Sequence, residues 1–465
     1  MENERTEKRR SPAVLIMSVC VVCVAAAVFA AYVKYNFGIY SWYQFAAPFA
    51  ALALFTAALV LAMPRIVSAI SGDDDLPYPA AREKATVRRF VLICLAALAL
   101  HICTSLLGML LFRLVSEGAE ALSFETLWKR SWMKSNTDAR HYIFIAENWY
   151  TNEGDDALLI VFFPLFPLFI RVFNLITHNS FYSAQIINAA ATALTAGFTY
   201  VTLIPVIGEK RARIGAFVYL LLPGAIFLNS PMSEPLFMLF SVLVFNSVQK
   251  RRFILAGIFT ALAGFTRSLG VLLAVPVALT GLGLIVKLIK ERKPFAGTLG
   301  RVLLGLAIST FGTLGYLYIN YSINGDPFKF LEFQWSNWNQ KASPFFDTPR
   351  YFLHYIKYSV INKPANLFSL WIPGLIAIFG SLLLILVKTK KLPAAYTVFF
   401  LCYYAVAVGC TWLLSSVRYL CAALPLTAAI AHSCDKRYKT VPVLILLFVL
   451  YLSYMLMYMK RMGIY

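Results

Sequence analysis

The chain has 465 residues, of which 60% are hydrophobic and only 14% are charged. Soluble domains carry about 25% charged residues, so this composition excludes an ordinary soluble protein. The net charge of +20 would suit a nucleic-acid partner, but the basic residues lie in short clusters between apolar runs. That arrangement is typical of membrane topology. We therefore predict an all-α polytopic membrane protein without a nucleic-acid partner.

Apolar runs long enough to cross the bilayer as helices recur along the whole chain. The first run follows a basic segment and is too long for the apolar part of a signal peptide, so we predict an uncleaved anchor. The first count is thirteen spans, within a range of about 11–13. The runs fall near 12–33, 44–63, 90–114, 183–206, 213–229, 235–249, 253–267, 269–288, 302–321, 366–387, 394–413, 418–433 and 441–458.

The basic linkers between these runs predict the topology. If the N-terminal segment is cytoplasmic, six basic linkers fall on the same side, as the positive-inside rule requires. These linkers are 64–89, 207–213, 250–252, 287–301, 388–391 and 434–439. The agreement requires that the apolar stretch 158–176 does not span. That stretch contains Pro164, Pro167 and Arg171, which favour an interfacial or re-entrant segment. Lys460 and Arg461 then lie outside, as exceptions to the rule.

This topology places two long polar loops, 115–182 and 322–365, on the outer face, where the first is expected to carry interfacial helices. Short outer turns carry Glu234, Arg267 and Arg418 beside apolar helices. Ionisable residues are costly at membrane depth and are usually functional there. Their convergence on one face predicts a site at that face.

Asp138 is the candidate general base. If the segment after it is helical, Asp138, His141 and Tyr142 share one face, and a partly desolvated carboxylate suits proton transfer. The alternative is that Thr137 or Asp138 caps a helix that begins at Ala139, and the residues alone favour this alternative. His141 alone is more often an interfacial hydrogen-bonding residue.

Each of the other candidates also has two interpretations. Ser233 and Glu234 could cap a helix or present a carboxylate to a sugar. Arg267 and Arg418 could reach toward the interface or bind a phosphate with bidentate donors. The outer loops also contain aromatic and polar side chains. These could bind a sugar, or they could be interfacial anchors and parts of solvated turns. They include Glu153, Asp326, Gln334 and Trp338. The run Phe162-Phe163-Pro164-Leu165-Phe166-Pro167, called the Phe-Pro run below, is either a kinked hydrophobic segment at the headgroup level or a floor that holds a lipid near the site.

The eight cysteines lie in or beside apolar runs, and none lies in the two long outer loops. We therefore expect neither a disulfide framework nor a metal site.

A set of short motifs now appears in order along the chain. Together they resemble the GPI mannosyltransferase II (PIG-V) type of membrane glycosyltransferase and its prokaryotic relatives, over residues 90 to 435. The motifs are Asp-x-x-His-Tyr at 138–142, Tyr-x-x-Glu at 150–153, the Phe-Pro run, Ser-Glu at 233–234, Thr-Arg-Ser-x-Gly at 266–270, Gly-Asp-Pro-Phe at 325–328 with Gln334 and Trp338, and Arg-Tyr at 418–419.

The resemblance implies a GT-C helix bundle and a sugar donor linked to a polyprenyl phosphate, typically mannose. It places Asp138 at the position of the catalytic carboxylate. The implied donor-binding residues are His141, Tyr142, Glu153, Glu234, Arg267, Asp326, Gln334, Trp338, Arg418 and Tyr419. Thr137 stands where such enzymes usually have Trp, and Trp149 where they have Gly, so the acceptor stays open.

The sequence thus predicts an enzyme that moves a sugar to a glycolipid or cell-envelope glycan by an inverting displacement, without a metal cofactor. Lys341 and Arg350 are further candidates to hold the phosphate. A lipid-linked glycan flippase or transporter is the alternative, although no internal repeat supports it. The expected location is a bacterial plasma membrane, with the site extracytoplasmic.

The expected organisation has three parts. Residues 1–89 form a two-span hairpin with a basic linker, 90–435 form the glycosyltransferase core, and 436–465 contain a final span.

Overall fold

The computed structural model describes residues 11–73, 85–134 and 137–464. These residues are almost entirely helical and contain no strand, only two isolated bridges. The basic N-terminal segment, together with Arg82 and Lys84 of the first linker, lies outside the described residues. The prediction of an all-α polytopic membrane protein is confirmed.

Eight helices of the described segments are long and apolar enough to cross a membrane. Each corresponds to one of the predicted runs. They are Pro12–Asn36, Trp42–Ile70, Val87–Val115, Ser180–Ile207, Ser268–Lys290, Ala296–Asn324, Pro364–Lys388 and Arg437–Met459.

The other five predicted runs are not single long helices. The run 213–229 is a broken pair, Glu209–Leu221 and Pro223–Asn229, bent by 73°. Three runs are short apolar helices, Glu234–Gln249, Phe253–Thr266 and Ala394–Val408. The run 418–433 is divided into Ser416–Cys421 and Leu424–Ser433. Counting bent pairs gives up to ten spans by length and composition within the described residues, fewer than our first count of thirteen.

The two long loops that the charge pattern predicts to be outer, called the first and second outer loops below, carry shorter helices. The first loop contains Ala119–Ala121, Phe124–Trp132, Ala139–Asn148, Gly154–Val161 and Leu165–Thr177, and the second contains Lys329–Trp338 and Thr348–Asn362. Gly154–Val161 and Leu165–Thr177 meet at 110°, as a broken span or a re-entrant loop would. This bend agrees with our expectation that the stretch 158–176 makes no straight crossing.

The core of the bundle is formed by helices that face protein on all sides. Glu234–Gln249 is buried along nearly its whole length, and Ser180–Ile207 is 72% buried over its most apolar window. Helices Phe253–Thr266 and Ala296–Asn324 approach each other closely at small residues, and a Cβ at Gly312 would collide with the Ala261 carbonyl. The tight packing fixes the ends of these helices, where the candidate residues lie.

The basic linkers gather at one end of the bundle. The Arg65 guanidinium donates to the Lys390 carbonyl at 2.8 Å, Arg89 pairs with Glu209 at 2.7 Å, and Lys290 donates to the Ser71 carbonyl. Each contact joins two different predicted cytoplasmic linkers. Glu234 begins helix Glu234–Gln249 and Arg267 follows helix Phe253–Thr266, each at the end of its helix that is away from the basic linker 250–252.

Candidate active site

Asp138 stands at the N-cap position of helix Ala139–Asn148 but makes no capping hydrogen bond with its side chain. Its Oδ2 instead accepts a hydrogen bond from Arg418 Nη2 at 2.9 Å. Thr137 does not cap the helix either, because its hydroxyl donates to the Lys134 carbonyl. The capping interpretation is therefore wrong. About 30% of the Asp138 side chain is exposed, so a substrate can reach it.

Glu234 lies between the two arginines. Only 4% of its side chain is exposed, and its Oε1 contacts Arg267 Nη1 and lies 3.0 Å from Arg418 Nε. Its Oε2 is buried without a hydrogen-bond partner. Ser233 makes no cap for the following helix and instead contacts Tyr142 and Arg267, at 2.9 and 3.3 Å. The capping interpretation is wrong here too, because both side chains face the arginines.

Asp138, Arg418, Glu234 and Arg267 thus form an alternating charge cluster assembled from four separate segments of the chain. Arg418 is 5% and Arg267 14% exposed, so neither side chain reaches out to the interface as the alternative proposed. Two carboxylates balance two guanidinium groups in this buried setting, as buried charges require. Each guanidinium has several N–H donors in a fixed plane, which suits a phosphate that enters the cluster.

Tyr419 lies under both arginines. The Arg267 and Arg418 guanidinium groups lie 5.1 and 5.3 Å from the centre of its ring, and Arg418 is also 5.3 Å from the Phe227 ring. The Tyr403 hydroxyl donates to the Tyr419 carbonyl at 2.8 Å. These contacts orient the guanidinium groups through cation–π attraction and packing. Phe227 and Tyr403 were missed by the sequence analysis because both lie in continuous apolar runs.

The Phe-Pro run borders the cluster on the side of Asp138. Phe162 stacks on His141 at 5.0 Å and meets the rings of Tyr142 and Trp338 edge-on. The Tyr150 hydroxyl donates to the Phe162 carbonyl at 2.6 Å, which holds this apolar wall in place. Burial lowers the pKa of His141, with the nearby Asp138 opposing the shift, and burial raises the pKa of Tyr142. Burial therefore favours the neutral form of both groups.

Several predicted residues lie apart from the charge cluster. Glu153 is exposed, and the carboxylate of Asp326 accepts a hydrogen bond from the Phe328 N–H in a local turn. Gln334 is half-buried on helix Lys329–Trp338, with no side-chain contact to the cluster. The structure therefore gives Asp326 a local structural role and brings neither Glu153 nor Gln334 into the cluster.

The two further phosphate candidates are also engaged elsewhere. Arg350 binds Asp347 with two nitrogens, at 2.6 and 2.9 Å, and the Lys341 ammonium lies 3.3 Å from the centre of the Trp335 ring. Within the described part of the chain, no three His, Cys, Asp or Glu side chains gather as a metal-ligand group.

Lys134 is a buried cation close to Asp138 in sequence that the sequence analysis did not single out. It is 4% exposed, and its ammonium donates to the Met462 carbonyl at 2.5 Å and faces the Tyr458 ring. Burial, with a smaller contribution from Arg461, lowers its pKa to about 8. Lys134 therefore ties the segment that leads to Asp138 to the residues that follow the last helix.

The lowered pKa of Lys134 predicts that the stability of the protein depends on pH. Between pH of about 8 and 10.5, the lysine binds a proton in the unfolded chain but not in the folded protein, so the free energy of unfolding rises with pH. We expect the melting temperature of wild type relative to Lys134→Met to rise on the order of a few degrees from pH 7.5 to 9.5. Thermal unfolding of the two detergent-solubilised proteins checks this. A pH-independent difference would contradict the depressed pKa.

The chain resembles known proteins over a defined segment. A family model described as mannosyltransferase (PIG-V) matches residues 84–296, which include Asp138, Glu234 and Arg267. No curated protein matches the chain. Among solved structures, the crystal structure of ArnT from Cupriavidus metallidurans bound to undecaprenyl phosphate is 15% identical, with a TM-score of 0.41. The similar region covers 75% of this chain and 62% of the ArnT chain.

The family match confirms the resemblance that the motifs predicted, within the segment that supplies three of the four residues of the charge cluster. Over residues 84–296, just under half of the chain, the protein is similar to the mannosyltransferase (PIG-V) family, and its described residues form a multi-pass bundle of apolar helices.

Proposed function

We propose that this enzyme transfers a mannose from a polyprenyl-phosphate carrier to a glycolipid or cell-envelope glycan, on the extracytoplasmic face of a bacterial plasma membrane. The observation that carries the proposal is the contact between Asp138 and Arg418, with Arg267 close by on Glu234. It puts a reachable carboxylate beside two guanidinium groups. These are the two components needed to activate a hydroxyl and to hold a phosphate leaving group.

The reaction is a single displacement. Asp138 accepts the proton of an acceptor hydroxyl while its oxygen attacks the anomeric carbon of the donor sugar. The bond from that carbon to the phosphate oxygen breaks, and polyprenyl phosphate leaves with the electron pair. A β-linked donor therefore yields an α-linked product. Because the leaving group is already good, catalysis depends mainly on positioning and on stabilising the developing charge.

The charge cluster supports a role for Arg267 and Arg418 in binding the donor phosphate. Glu234 forms ion pairs with both guanidinium groups, and the Tyr419 ring packs against them. Their remaining donors are thereby pre-oriented, which lowers the cost of binding an anion. In this proposal the guanidinium groups, rather than a metal ion, neutralise the phosphate, and transfer should persist in EDTA.

The positive-inside rule supports the extracytoplasmic location. The basic linkers gather at the end of the bundle opposite the charge cluster, through contacts such as those of Arg65 and Lys290. A donor on that side must be carried by a lipid, because soluble nucleotide sugars are supplied in the cytoplasm. The apolar wall of the Phe-Pro run offers a surface along which a lipid chain can lie.

Binding of undecaprenyl phosphate tests the proposal. We expect Arg418→Gln to weaken binding about 10- to 100-fold, the range for losing a charge-assisted hydrogen bond to phosphate. Binding can be measured by ligand-induced thermal stabilisation of the detergent-solubilised protein. Arg171→Gln is the matched control, because this outer-loop arginine packs on Trp149 away from the cluster. Unchanged binding by Arg418→Gln would refute the phosphate role.

A further inference from the structure

The N-terminal hairpin, formed by helices Pro12–Asn36 and Ala46–Ile70, lies before the segment that matches the family. Only 6% of the most apolar stretch of its first helix is buried inside the protein, and this helix packs mainly on the second. At the outer end, however, the hairpin contacts the second outer loop through specific polar groups. A membrane anchor alone would not need such contacts.

The contact is centred on Asp347. Its carboxylate accepts a hydrogen bond from the Tyr32 hydroxyl of the hairpin and binds Arg350 with both oxygens. The Arg350 guanidinium also lies 3.9 Å from the centre of the Tyr40 ring. Asp347 and Arg350 are 15% and 17% exposed, so solvent screens this interaction only partly. Asp347 is at the N-cap of helix Thr348–Asn362 but gives that helix no side-chain cap.

Apolar side chains reinforce the same contact. Phe346 is buried against Ala51 and Leu52 of the hairpin and meets the Tyr32 ring edge-on at 5.2 Å. Phe345 lies 4.6 Å from Phe55 between ring centres. The hairpin therefore holds residues 345–350 by both a buried apolar patch and a hydrogen-bonded ion pair.

The second outer loop is in turn bonded to the segment 408–413. The Thr348 hydroxyl donates to the Val408 carbonyl at 2.6 Å, and the Ser343 N–H donates to the Gly409 carbonyl at 3.0 Å. Further hydrogen bonds join residues 339–351 to 411–413, including those of Gln340 with Trp412 and Tyr351 with Leu413. The segment 408–413 is thus fixed along its length by the loop that the hairpin holds.

The segment 408–413 leads directly into helix Ser416–Cys421, which carries Arg418. Arg418 contacts both Asp138 and Glu234 in the charge cluster. We propose that the N-terminal hairpin is a positioning element for the transfer site, because it holds the second outer loop and thereby sets the place of Arg418. This inference rests on the proposed role of Arg418 in binding the donor phosphate.

A double-mutant cycle on the binding of undecaprenyl phosphate tests the inference. We expect Tyr32→Phe, which removes one hydroxyl, to weaken binding about three- to tenfold. Asp347→Asn should have a similar effect. In the Arg418→Gln background the same changes should have no further effect, because their path to the ligand is lost. Tyr43→Phe is the matched control, since this hairpin tyrosine lies exposed with its ring toward Lys357.

The outcomes separate the hairpin from the site itself. If Arg418→Gln weakens binding while Tyr32→Phe and Asp347→Asn leave it unchanged, the positioning role is overturned and the proposed function stands. If the hairpin variants weaken binding equally in both backgrounds, they act without Arg418, and the inference is again overturned. If Arg418→Gln binds as wild type does, both the inference and the proposed phosphate site fail. Melting temperatures of all variants show whether a loss of binding is due to misfolding. If one of the two hairpin variants is misfolded, the cycle is carried out with the other.

Discussion

Asp138→Asn is expected to slow sugar transfer by orders of magnitude while leaving the fold and donor binding intact. The asparagine has the same shape and its carbonyl oxygen can still accept the hydrogen bond from Arg418, at the place where the carboxylate now lies 2.9 Å away. The amide cannot take a proton from the acceptor hydroxyl, however. Loss of a general base typically lowers a rate by about 10²–10⁴-fold. We expect a loss in this range for the rate of transfer, with the affinity for undecaprenyl phosphate changed less than tenfold.

The matched control for this change is Asp156→Asn. Asp156 lies in the same outer loop and is exposed, and it is close enough to His141 to influence the pKa of that residue. The control should transfer sugar as wild type does. If Asp138→Asn retains full transfer activity, Asp138 is not the base and the proposed mechanism is wrong.

Glu234→Gln is expected to destabilise the protein more than any change at the surface. Glu234 is 4% exposed and is the carboxylate that neutralises both Arg267 and Arg418. The glutamine would leave two buried guanidinium groups with Asp138 as the remaining anion of the cluster. Removing one partner of a buried ion pair costs about 3–5 kcal/mol, because a buried charge is left uncompensated. The melting temperature should therefore fall by several degrees.

Undecaprenyl phosphate should partly reverse this loss. Its phosphate would bring negative charge to the same two arginines, so a saturating amount should raise the melting temperature of the variant. Glu332→Gln is the matched control, since Glu332 forms an exposed pair with Lys329 that contributes little. A Glu234→Gln protein that melts as wild type does would show that the cluster is not held by Glu234.

The membrane class and the gathering of linkers could be predicted because both depend on residue type alone. An apolar run must form a helix in hydrocarbon, and a basic linker is retained on the cytoplasmic side. The span count was less accurate for a physical reason. A helix such as Glu234–Gln249 is surrounded by protein, so its apolar side chains are buried whether or not its length matches the thickness of the bilayer. Hydropathy cannot distinguish such a helix from a full crossing.

The members of the charge cluster could also be predicted, but the pairs they form could not. The charge pattern placed Glu234, Arg267 and Arg418 on one face, and the motifs singled out Asp138. Arg418 and Asp138 are 280 positions apart in the sequence, so their pairing depends on how distant segments pack together. Local sequence patterns carry no information on such packing. For the same reason, capping was the favoured interpretation of Asp138. A local cap is visible in a sequence, whereas a distant arginine that replaces it is not.

The motif residues that lie away from the charge cluster show what short motifs cannot predict. Asp326 belongs to a motif of the resemblance, but its carboxylate is occupied by the Phe328 N–H of its own turn. Tyr32 and Asp347 belong to no motif, yet they join the hairpin to the second outer loop. Short motifs identify residue types in order and carry no information on contacts between distant loops.

Transfer from a defined donor tests the central claim most directly. The purified enzyme would be reconstituted in liposomes with radiolabelled β-linked undecaprenyl-phosphomannose and membranes from a strain that lacks the gene, as the source of unmodified acceptor. We predict that label enters an acceptor in a form released by α-mannosidase, that undecaprenyl phosphate is formed in equal amount, and that GDP-mannose does not substitute. Absence of transfer from the lipid-linked donor, or direct use of GDP-mannose by the purified enzyme, would contradict the account.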